Sequence, residues 1–168
     1  EIKLDHLRTL TDDTGILQHA NHTIPDRSHG YCTDDNARAL LAAAMGRKNL
    51  SANGWDLDRL SGHYLGFLQY AFEEKNERFR NFMTYSRKWT EAVGSEDAHG
   101  RVLWSLGKAV ALLDNPGYLA MSTTLFRKAL HAIEDFASPR AIAFSLVGIH
   151  AYLEIFSGDS DVRRIRKG

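Results

Sequence analysis

The sequence predicts an all-α fold, built from antiparallel helical hairpins in a single domain over residues 1–168. Apolar residues recur every three or four positions along most of the chain, which is the periodicity of amphipathic helices. Three of the predicted helices begin with a capping residue, a polar first turn and then a strongly apolar run. Each is preceded by a more amphipathic helix, and this alternation is typical of two layers of helical hairpins.

The composition indicates an ordinary globular domain, with 43% hydrophobic and 25% charged residues, long enough to bury a sizeable core. The 21 Lys and Arg balance the 21 Asp and Glu, so no basic field would attract nucleic acid or an anionic membrane. No apolar run approaches the roughly 18 residues of a spanning helix, and no signal-peptide pattern precedes the first helix. With Cys32 as the only cysteine, the sequence predicts a reducing, cytoplasmic setting.

The N-terminal segment predicts a short helix over residues 3–10, followed by a long structured loop over residues 12–32 with an extended piece at 15–18. Loops of this length in compact domains tend to be functional or mobile. The first polar-ended helix begins at Thr33, which we expect to act as the N-cap. It continues to about Lys48, before a turn at residues 53–54.

The later elements follow the same alternation. An amphipathic helix is predicted over residues 56–74, and a second long loop or short hairpin over 76–94. The amphipathic 56–74 helix pairs with a polar-ended helix over 96–113, which begins at the cap Ser95. A last pair follows, an amphipathic helix over 118–136 and a polar-ended helix over 139–156 with cap Ser138, before the start of a further element over 160–167.

One arginine stands near an equivalent point of each polar-ended helix, at Arg38, Arg101 and Arg140. This weak internal repeat favours three stacked hairpins, although an ordinary helical bundle also fits. An arginine inside an apolar helix needs a carboxylate. We therefore expect Arg38 to form a structural ion pair with an acid of the first turn.

Five segments carry a resemblance to a known family: LTDDTGILQHA, PDRSHGYCTDDNARALLAA, NFMTYSRKWTE, SEDAHGRVLWSLG and SPRAIAFSLVG. They resemble bacterial proteins with an (α/α)6 toroid of the six-hairpin glycosidase type, which are often fused to or described as glycosyltransferases. The resemblance spans nearly the whole chain and implies a toroid and a carbohydrate-related function. Three hairpins amount to about half of such a toroid, so the expectation is a truncated, N-terminal part of it.

Glycoside chemistry generally uses two carboxylates, about 5 to 9.5 Å apart, as acid and as base or nucleophile. Two pairs stand in the first turns of predicted inner helices, and we take them as catalytic candidates: Asp34, Asp35, Glu96 and Asp97. Adjacent helical positions point in different directions, so at most one of each pair is expected to line a cavity. Their alternative role is to complement the helix dipole.

Sugar recognition uses flat apolar faces and planar hydrogen-bonding groups. Three aromatic residues are candidates for stacking and four polar residues for hydrogen bonding: Tyr31, Tyr85 and Trp89, and Arg27, His99, Arg101 and Arg140. The alternative is that Tyr85 and Trp89 are core cover under a long loop and that Arg38, Arg101 and Arg140 form structural ion pairs with the first-turn acids.

Neither a metal nor a cofactor is predicted. The 12–32 segment offers possible metal ligands without a zinc signature: His19, His22, Asp26, His29 and Cys32. The string DDNAR resembles an aspartate-rich magnesium motif, but its fifth position is the cation Arg38, which would repel the metal. A glycine-rich phosphate loop, a serine elbow and a CxxC motif are all missing from the sequence.

We therefore expect a carbohydrate-active domain that acts on or binds a glycan at the N-terminal ends of the inner helices. It would be the glycosidase-like part of a bacterial glycosyltransferase. The alternatives are a non-catalytic scaffold or glycan-binding module of a larger enzyme, and a hairpin array that binds protein partners. An open half-ring exposes apolar surface, so a homodimer or a partner domain is also expected.

Overall fold

The computed structural model describes residues 3–47 and 54–167, which form a mostly helical chain with small antiparallel sheets. The helices are α1 (Asp5–Leu10), α2 (Thr33–Gly46), α3 (Gly54–Ala71), α4 (Glu96–Leu112), α5 (Pro116–Leu130), α6 (Pro139–Ile155) and α7 (Ser160–Ile165), with a 3₁₀ turn at His131–Asp135 after α5. The strands are β1 (Leu17–Asn21), β2 (Ile24–Cys32), β3 (Phe72–Glu73), β4 (Arg78–Phe79) and β5 (Phe82–Met83). The predicted helix end at Lys48 and the first residue of the predicted turn, Asn53, lie outside the described residues.

The helices pack in two layers. In the central layer α4 lies between α2 and α6, and in the outer layer α3 packs against α2 while α5 packs against α4 and α3. Large apolar side chains fill the space between the layers, among them the fully buried Leu40, Tyr64, Leu106 and Phe126. The mostly helical architecture is confirmed, with apolar stripes facing a shared core. Neighbouring helices pack as α2 with α3 and α4 with α5, rather than each amphipathic helix with the polar-ended helix that follows it.

Glycines set the distance between α4 and α6. A Cβ atom on Gly107 would lie closer than 3.0 Å to the backbone carbonyl oxygen of Gly148. A Cβ atom on Gly148 would meet the carbonyl oxygen of Leu103 in the same way, and one on Gly100 would meet that of Ala141. The two backbones thus touch along their length, which fixes the N-terminal ends of both helices at one level.

Local caps begin two of the three central helices as predicted. The Ser95 hydroxyl oxygen accepts a hydrogen bond from the Ala98 N–H at 3.1 Å, and the Ser138 hydroxyl oxygen accepts one from the Ala141 N–H at 3.3 Å. Pro139 occupies the first turn of α6, where a missing N–H removes no helical hydrogen bond.

The expected cap of α2 is wrong. Thr33 lies inside the helix, and its hydroxyl donates to the backbone carbonyl of Arg80 at 2.6 Å. The Asp34 N–H instead donates to the side-chain oxygen of Asn81 at 3.2 Å. A residue 47 positions along the chain therefore takes the capping role, because the β4–β5 segment packs across the start of α2.

The predicted all-α class needs correction, because the 12–32 segment is a β-hairpin rather than a loop. β1 and β2 pair in antiparallel register around a turn in which His22 has a positive φ of 57°. β2 also pairs with β5, with Tyr31 opposite Met83. The strand pattern was hidden because the first six residues of β2 are exposed or half-buried without alternation, and only its last three residues are buried.

The predicted 56–74 helix ends at Ala71, because Phe72 and Glu73 form β3 and pair with β4 in an antiparallel hairpin. Within the second loop, Met83 forms an antiparallel bridge with Trp89. α5 begins at Pro116, two residues before the predicted start, since the Asn115 side chain accepts hydrogen bonds from the N–H groups of Gly117 and Tyr118. Within the described residues, no helix combines the length and the apolar character needed to cross a membrane.

Candidate functional site

A cavity of about 390 Å³ opens where α2, α4 and α6 begin. Its lining includes six charged side chains, from Asp34, Asp35, Arg38, Asp97, Arg101 and Arg140. Since these residues lie in or near the first turns of the three central helices, the N-terminal ends of those helices lie together. The helix dipoles place partial positive charge at the same end.

Asp34 joins α2 to α4. Its Oδ1 accepts a hydrogen bond from Nε of Arg101 at 3.0 Å, and its Oδ2 lies 2.6 Å from Nη2 of Arg38. Arg38 thus forms the predicted ion pair with a first-turn acid. The two guanidinium groups hold the Asp34 carboxylate from both sides.

Arg101 is held in place by aromatic rings as well as by Asp34. Its guanidinium carbon lies 3.9 Å from the ring centroid of Phe144 and 5.7 Å from that of Trp104. The Phe144 and Trp104 rings stack on each other, with centroids 5.7 Å apart. Because the Arg101 side chain is only 18% exposed, its guanidinium is substantially shielded from water.

Asp97 joins α4 to α6 in a similar way. Its Oδ1 accepts a hydrogen bond from the Ser138 hydroxyl at 2.8 Å, and its Oδ2 accepts one from Nε of Arg140 at 2.7 Å. These bonds, with the Arg140 bond as the larger cause, lower the pKa of Asp97 below its ordinary value. Asp97 is therefore an ionised carboxylate at neutral pH.

Asp35 stands in the opposite electrostatic setting. Burial and then the neighbouring negative charge of Asp34 raise the pKa of Asp35, while the positive charge of Arg38 opposes this shift. Among the described residues, no cation forms an ion pair with the Asp35 carboxylate. The cavity thus presents one carboxyl group whose pKa is raised beside one whose pKa is lowered.

The Cys32 thiol lines the cavity next to these acids. Its Sγ donates to the side-chain oxygen of Asn81 at 3.3 Å, and burial raises the pKa of Cys32 to about 11. The thiol is therefore neutral at physiological pH and is a poor nucleophile. Its contact with Asn81 supports the same side-chain oxygen that caps α2.

The two predicted acid pairs differ in placement. Both Asp34 and Asp35 line the cavity, whereas only one of them was expected to, because the cavity extends around the first turn of α2. Of the second pair, Asp97 lines the cavity. Glu96 is directed to the loop before α6, where its Oε2 accepts hydrogen bonds from the N–H groups of Ala137 and Ser138, at 3.0 and 2.7 Å.

Of the predicted sugar-binding residues, Arg101 and Arg140 line the cavity and the others do not. His99 is completely buried between Phe79 and Phe136, with its Nε2 2.8 Å from the carbonyl oxygen of Ala129. Burial lowers the pKa of His99 to about 3, so the ring is neutral and belongs to the core.

The aromatic candidates lie away from the charged cavity. Tyr31 is buried, its hydroxyl donates to Asp12 at 2.6 Å, and its ring stacks on that of Tyr85. Arg27 lies 5.8 Å from the Tyr85 ring centroid.

Trp89 packs against Phe67 and Tyr70, with the Arg80 guanidinium carbon 4.5 Å from its ring centroid. Trp89 therefore matches the core-cover alternative, whereas Tyr85 is exposed and does not.

Several lining residues were not among the predicted site residues: Gln18, Asn81, Phe82, Ser95 and Ala98. Phe82 is the most informative of these, because its ring is 41% exposed and is an aromatic surface at the cavity. In the string FRNFM, polar residues stand between Phe79 and Phe82, and this was the available sequence signal for Asn81 and Phe82. Only the pairing of β5 with β2 brings them to α2.

The histidines of the β-hairpin do not gather into a cluster of ligands. The His19 and His29 rings lie 4.4 Å apart, and Nδ1 of His29 is 3.5 Å from Asp26. In the part of the chain that the structure describes, no group of three or more His, Cys, Asp or Glu side chains is arranged to hold a metal ion.

Comparison with known proteins adds no family assignment. No protein-family model matches the chain, and no curated protein matches it. The chemistry of the cavity is therefore the basis for a functional proposal. Its two carboxyl groups Asp35 and Asp97, whose pKa values are shifted in opposite directions, and its guanidinium donors are suited to acid–base chemistry on a polar ligand.

Proposed function

We propose that this chain is a carbohydrate-active domain that acts on or binds a glycan in the cavity at the start of α2, α4 and α6. Its three hairpins would form about half of an (α/α)6 toroid of the six-hairpin glycosidase type. The resemblance of the GYCTDDNARAL and SEDAHGRVLW segments supports this assignment. The central layer also supports it, because three helices that begin at one end are what such a ring requires.

The observation that carries the proposal is the placement of Asp35 and Asp97 on two different helices around one cavity. Asp35 lacks an ion-pair partner among the described residues, whereas Asp97 is held by Arg140 and Ser138. Two carboxyl groups whose environments displace their pKa values in opposite directions match the acid and base roles of glycoside chemistry. Asp35 would protonate the leaving oxygen, and Asp97 would activate water or stabilise positive charge on the sugar.

The surrounding side chains have supporting roles in this mechanism. Asp34 keeps Arg38 and Arg101 in position, and its negative charge helps Asp35 retain a proton. The exposed Phe82 ring would stack on a sugar face.

Substitution of the two carboxyl groups tests the proposal. We would measure the release of reducing ends from a panel of α- and β-linked oligosaccharides by the wild type and by Asp35→Asn, Asp97→Asn and Glu154→Gln. Glu154 is an exposed carboxylate on α6 and serves as the matched control. Loss of a general acid or base lowers turnover by about 100-fold or more, so both Asn variants should lose activity while the control keeps it.

Thermal unfolding of each variant separates lost chemistry from lost folding. Turnover by the wild type that survives in both Asn variants, with folding intact, would contradict the assigned roles.

A glycan-binding module of a larger enzyme is the second candidate. It is favoured by the ion pairs that occupy Asp34 and Asp97, because such pairs also serve a purely architectural role. This alternative predicts saturable glycan binding with no turnover by the wild type. It also predicts equal affinity in Asp35→Asn, whereas a catalytic site predicts turnover that depends on Asp35.

A further inference from the structure

We infer that the ligand of this cavity carries an anionic group, a carboxylate or a phosphate attached to a sugar, and that Arg38, Arg101 and Arg140 bind it. This inference rests on the proposed carbohydrate function and narrows it to acidic or phosphorylated sugars. The argument starts from the hydrogen-bond donors of the three guanidinium groups, all of which line one cavity of about 390 Å³.

Each guanidinium uses only part of its donor set within the protein. Arg101 donates from Nε to Asp34, and its Nη1 and Nη2 have no partner among the described residues. Arg140 donates from Nε and Nη2 to one oxygen of Asp97, and Arg38 meets Asp34 through Nη2 alone. The remaining N–H groups form a set of donors beside the cavity.

The carboxylates of Asp34 and Asp97 are already in use, and Asp35 is the one carboxyl group of the cavity without an arginine partner among the described residues, so the unused N–H donors still outnumber the free acceptors. Both oxygens of Asp34 face Arg38 and Arg101, and the oxygens of Asp97 face Ser138 and Arg140. A neutral sugar hydroxyl donates as well as accepts and finds few free acceptors here. A carboxylate or phosphate only accepts, and its planar or tetrahedral oxygens match the fork of N–H groups that arginine presents.

The guanidinium of Arg101 is also pre-positioned. The Phe144 ring supports one side of it at 3.9 Å, and its side chain is only 18% exposed. Little side-chain entropy is then lost when an anion binds, and the partial shielding from water strengthens the charge interaction.

The helices around the cavity also favour the binding of an anion. α2 with 14 residues, and α4 and α6 with 17 residues each, direct the positive ends of their dipoles toward the cavity. Two of the three carboxyl groups that line the cavity, those of Asp34 and Asp97, are paired with arginines within the protein.

Pairs of sugars that differ in one acidic group test the inference. We would titrate the protein calorimetrically with glucuronate and glucose, galacturonate and galactose, and mannose 6-phosphate and mannose, and with inorganic phosphate alone. At least one acidic sugar should bind about tenfold or more tightly than its neutral partner, which is the effect of one charge-assisted hydrogen bond.

Variants assign the binding to the arginines. Arg140→Gln should weaken the binding of an acidic sugar about tenfold more than it weakens the binding of the matched neutral sugar. Arg101→Lys keeps the charge and loses the fork, so it should weaken binding as well. Arg163→Gln, at an exposed arginine of α7, is the control and should change nothing.

The outcomes separate the two proposals. Equal binding of acidic and neutral sugars, or full affinity in Arg140→Gln and Arg101→Lys, would overturn the anionic inference and leave the carbohydrate function in place. Binding of inorganic phosphate with no binding of any sugar would overturn the carbohydrate function. Binding of none of the probes would overturn both.

Discussion

The Nε atom of Arg101 donates to Oδ1 of Asp34 across 3.0 Å, and this contact joins α4 to α2 at the rim of the charged cavity. The same carboxylate also meets Arg38, so residues of two helices share one acid. Beside it, Asp97 meets Arg140 and links α4 to α6. The three central helices are thus connected by charged contacts at the end where they begin.

Replacing Arg101 by Met should destabilise the fold. The variant keeps an apolar stem against Phe144 but removes the charged hydrogen bond to Asp34, which is partly buried. We expect the free energy of unfolding to fall by about 2 kcal/mol, the usual range for a hydrogen bond between charged groups.

Urea unfolding measures this change. Arg163→Met is the matched control, because Arg163 is exposed, and such surface changes stay within about 0.5 kcal/mol. A fall no larger than that of the control would show that the Arg101–Asp34 pair adds no net stability.

Adding a single methyl group at Gly107 should separate α4 from α6. In Gly107→Ala the new Cβ would meet the carbonyl oxygen of Gly148 at less than 3.0 Å, and backbone cannot move aside cheaply. We expect a loss of about 3 kcal/mol or more from overpacking. Gly66→Ala in α3 is the control, since no atom lies within 4 Å of its Cβ position, and it should gain about 0.5 to 1 kcal/mol from helix propensity.

Chemical denaturation of the two alanine variants gives the comparison. Similar stabilities for both variants would mean that the helices can shift without cost.

The elements that were predicted correctly are those whose signals lie close together in the sequence. Ser95 and Ser138 cap the helices that follow them, and Pro139 stands in the first turn of α6, because each of these contacts spans only a few residues. Arg38 finds the carboxylate of Asp34 one helical turn away, at i and i+4. Local chemistry of this kind can be deduced without tertiary structure.

The parts that could not be predicted depend on contacts between distant segments. The cap of α2 comes from Asn81, which reaches it only because β5 pairs with β2. β2 itself shows little apolar alternation, as its first six residues are exposed or half-buried and its last three are all buried. Glu96 and Asp97 are both acids in the first turn of α4, so the sequence does not distinguish their roles. Glu96 accepts hydrogen bonds from backbone N–H groups only because the loop before α6 lies next to it.

Removing the side-chain amide of Asn81 should weaken the start of α2. Asn81→Ala deletes the oxygen that accepts from the Asp34 N–H and from the Cys32 thiol, both close to the cavity. The loss of an N-cap costs about 1 kcal/mol, so we expect a loss of stability of about that size or somewhat more.

Amide hydrogen exchange gives the local readout for this variant, with protection lost at the N-terminal turn of α2. The control is Asn115→Ala, which removes the cap of α5 and should leave α2 protected. Unchanged exchange at α2 in Asn81→Ala would refute the assignment of Asn81 as its cap.

The buried His99 should make the fold sensitive to acid. Burial lowers the pKa of His99 to about 3 in the folded state, against about 6.5 in the unfolded chain. Between these values the unfolded state binds more protons than the folded state, so stability falls as the pH falls. This group should contribute a slope of about 1.4 kcal/mol per pH unit, starting near pH 6.5 and ending near pH 3.

The difference between the wild type and His99→Gln isolates this contribution, because the Gln amide can still donate to the carbonyl of Ala129. Unfolding free energies measured from pH 7 to pH 4 should show a shallower acid slope in the variant. His150→Gln, at an exposed histidine of α6, should keep the slope of the wild type. An unchanged slope in His99→Gln would mean that other groups cause the acid sensitivity.

The exposed apolar face of α6 should make this chain self-associate. Ile142 and Leu146 lie one helical turn apart on α6, Val147 follows Leu146, and all three are 37 to 41% exposed. Exposed apolar side chains on one helix are covered most simply by the same helix of a second copy around a twofold axis. Sedimentation equilibrium over rising protein concentration should therefore show a monomer–dimer equilibrium.

Two lysines on this face provide the test of that interface. Leu146→Lys combined with Val147→Lys should give a monomer, because the charges would face each other across the twofold axis and would have to be desolvated. The control is Ile24→Lys, which replaces an exposed apolar residue of β2 and should leave the dimer intact. A compact monomer of the wild type at every concentration, or a dimer that survives both lysines, would place self-association elsewhere or exclude it.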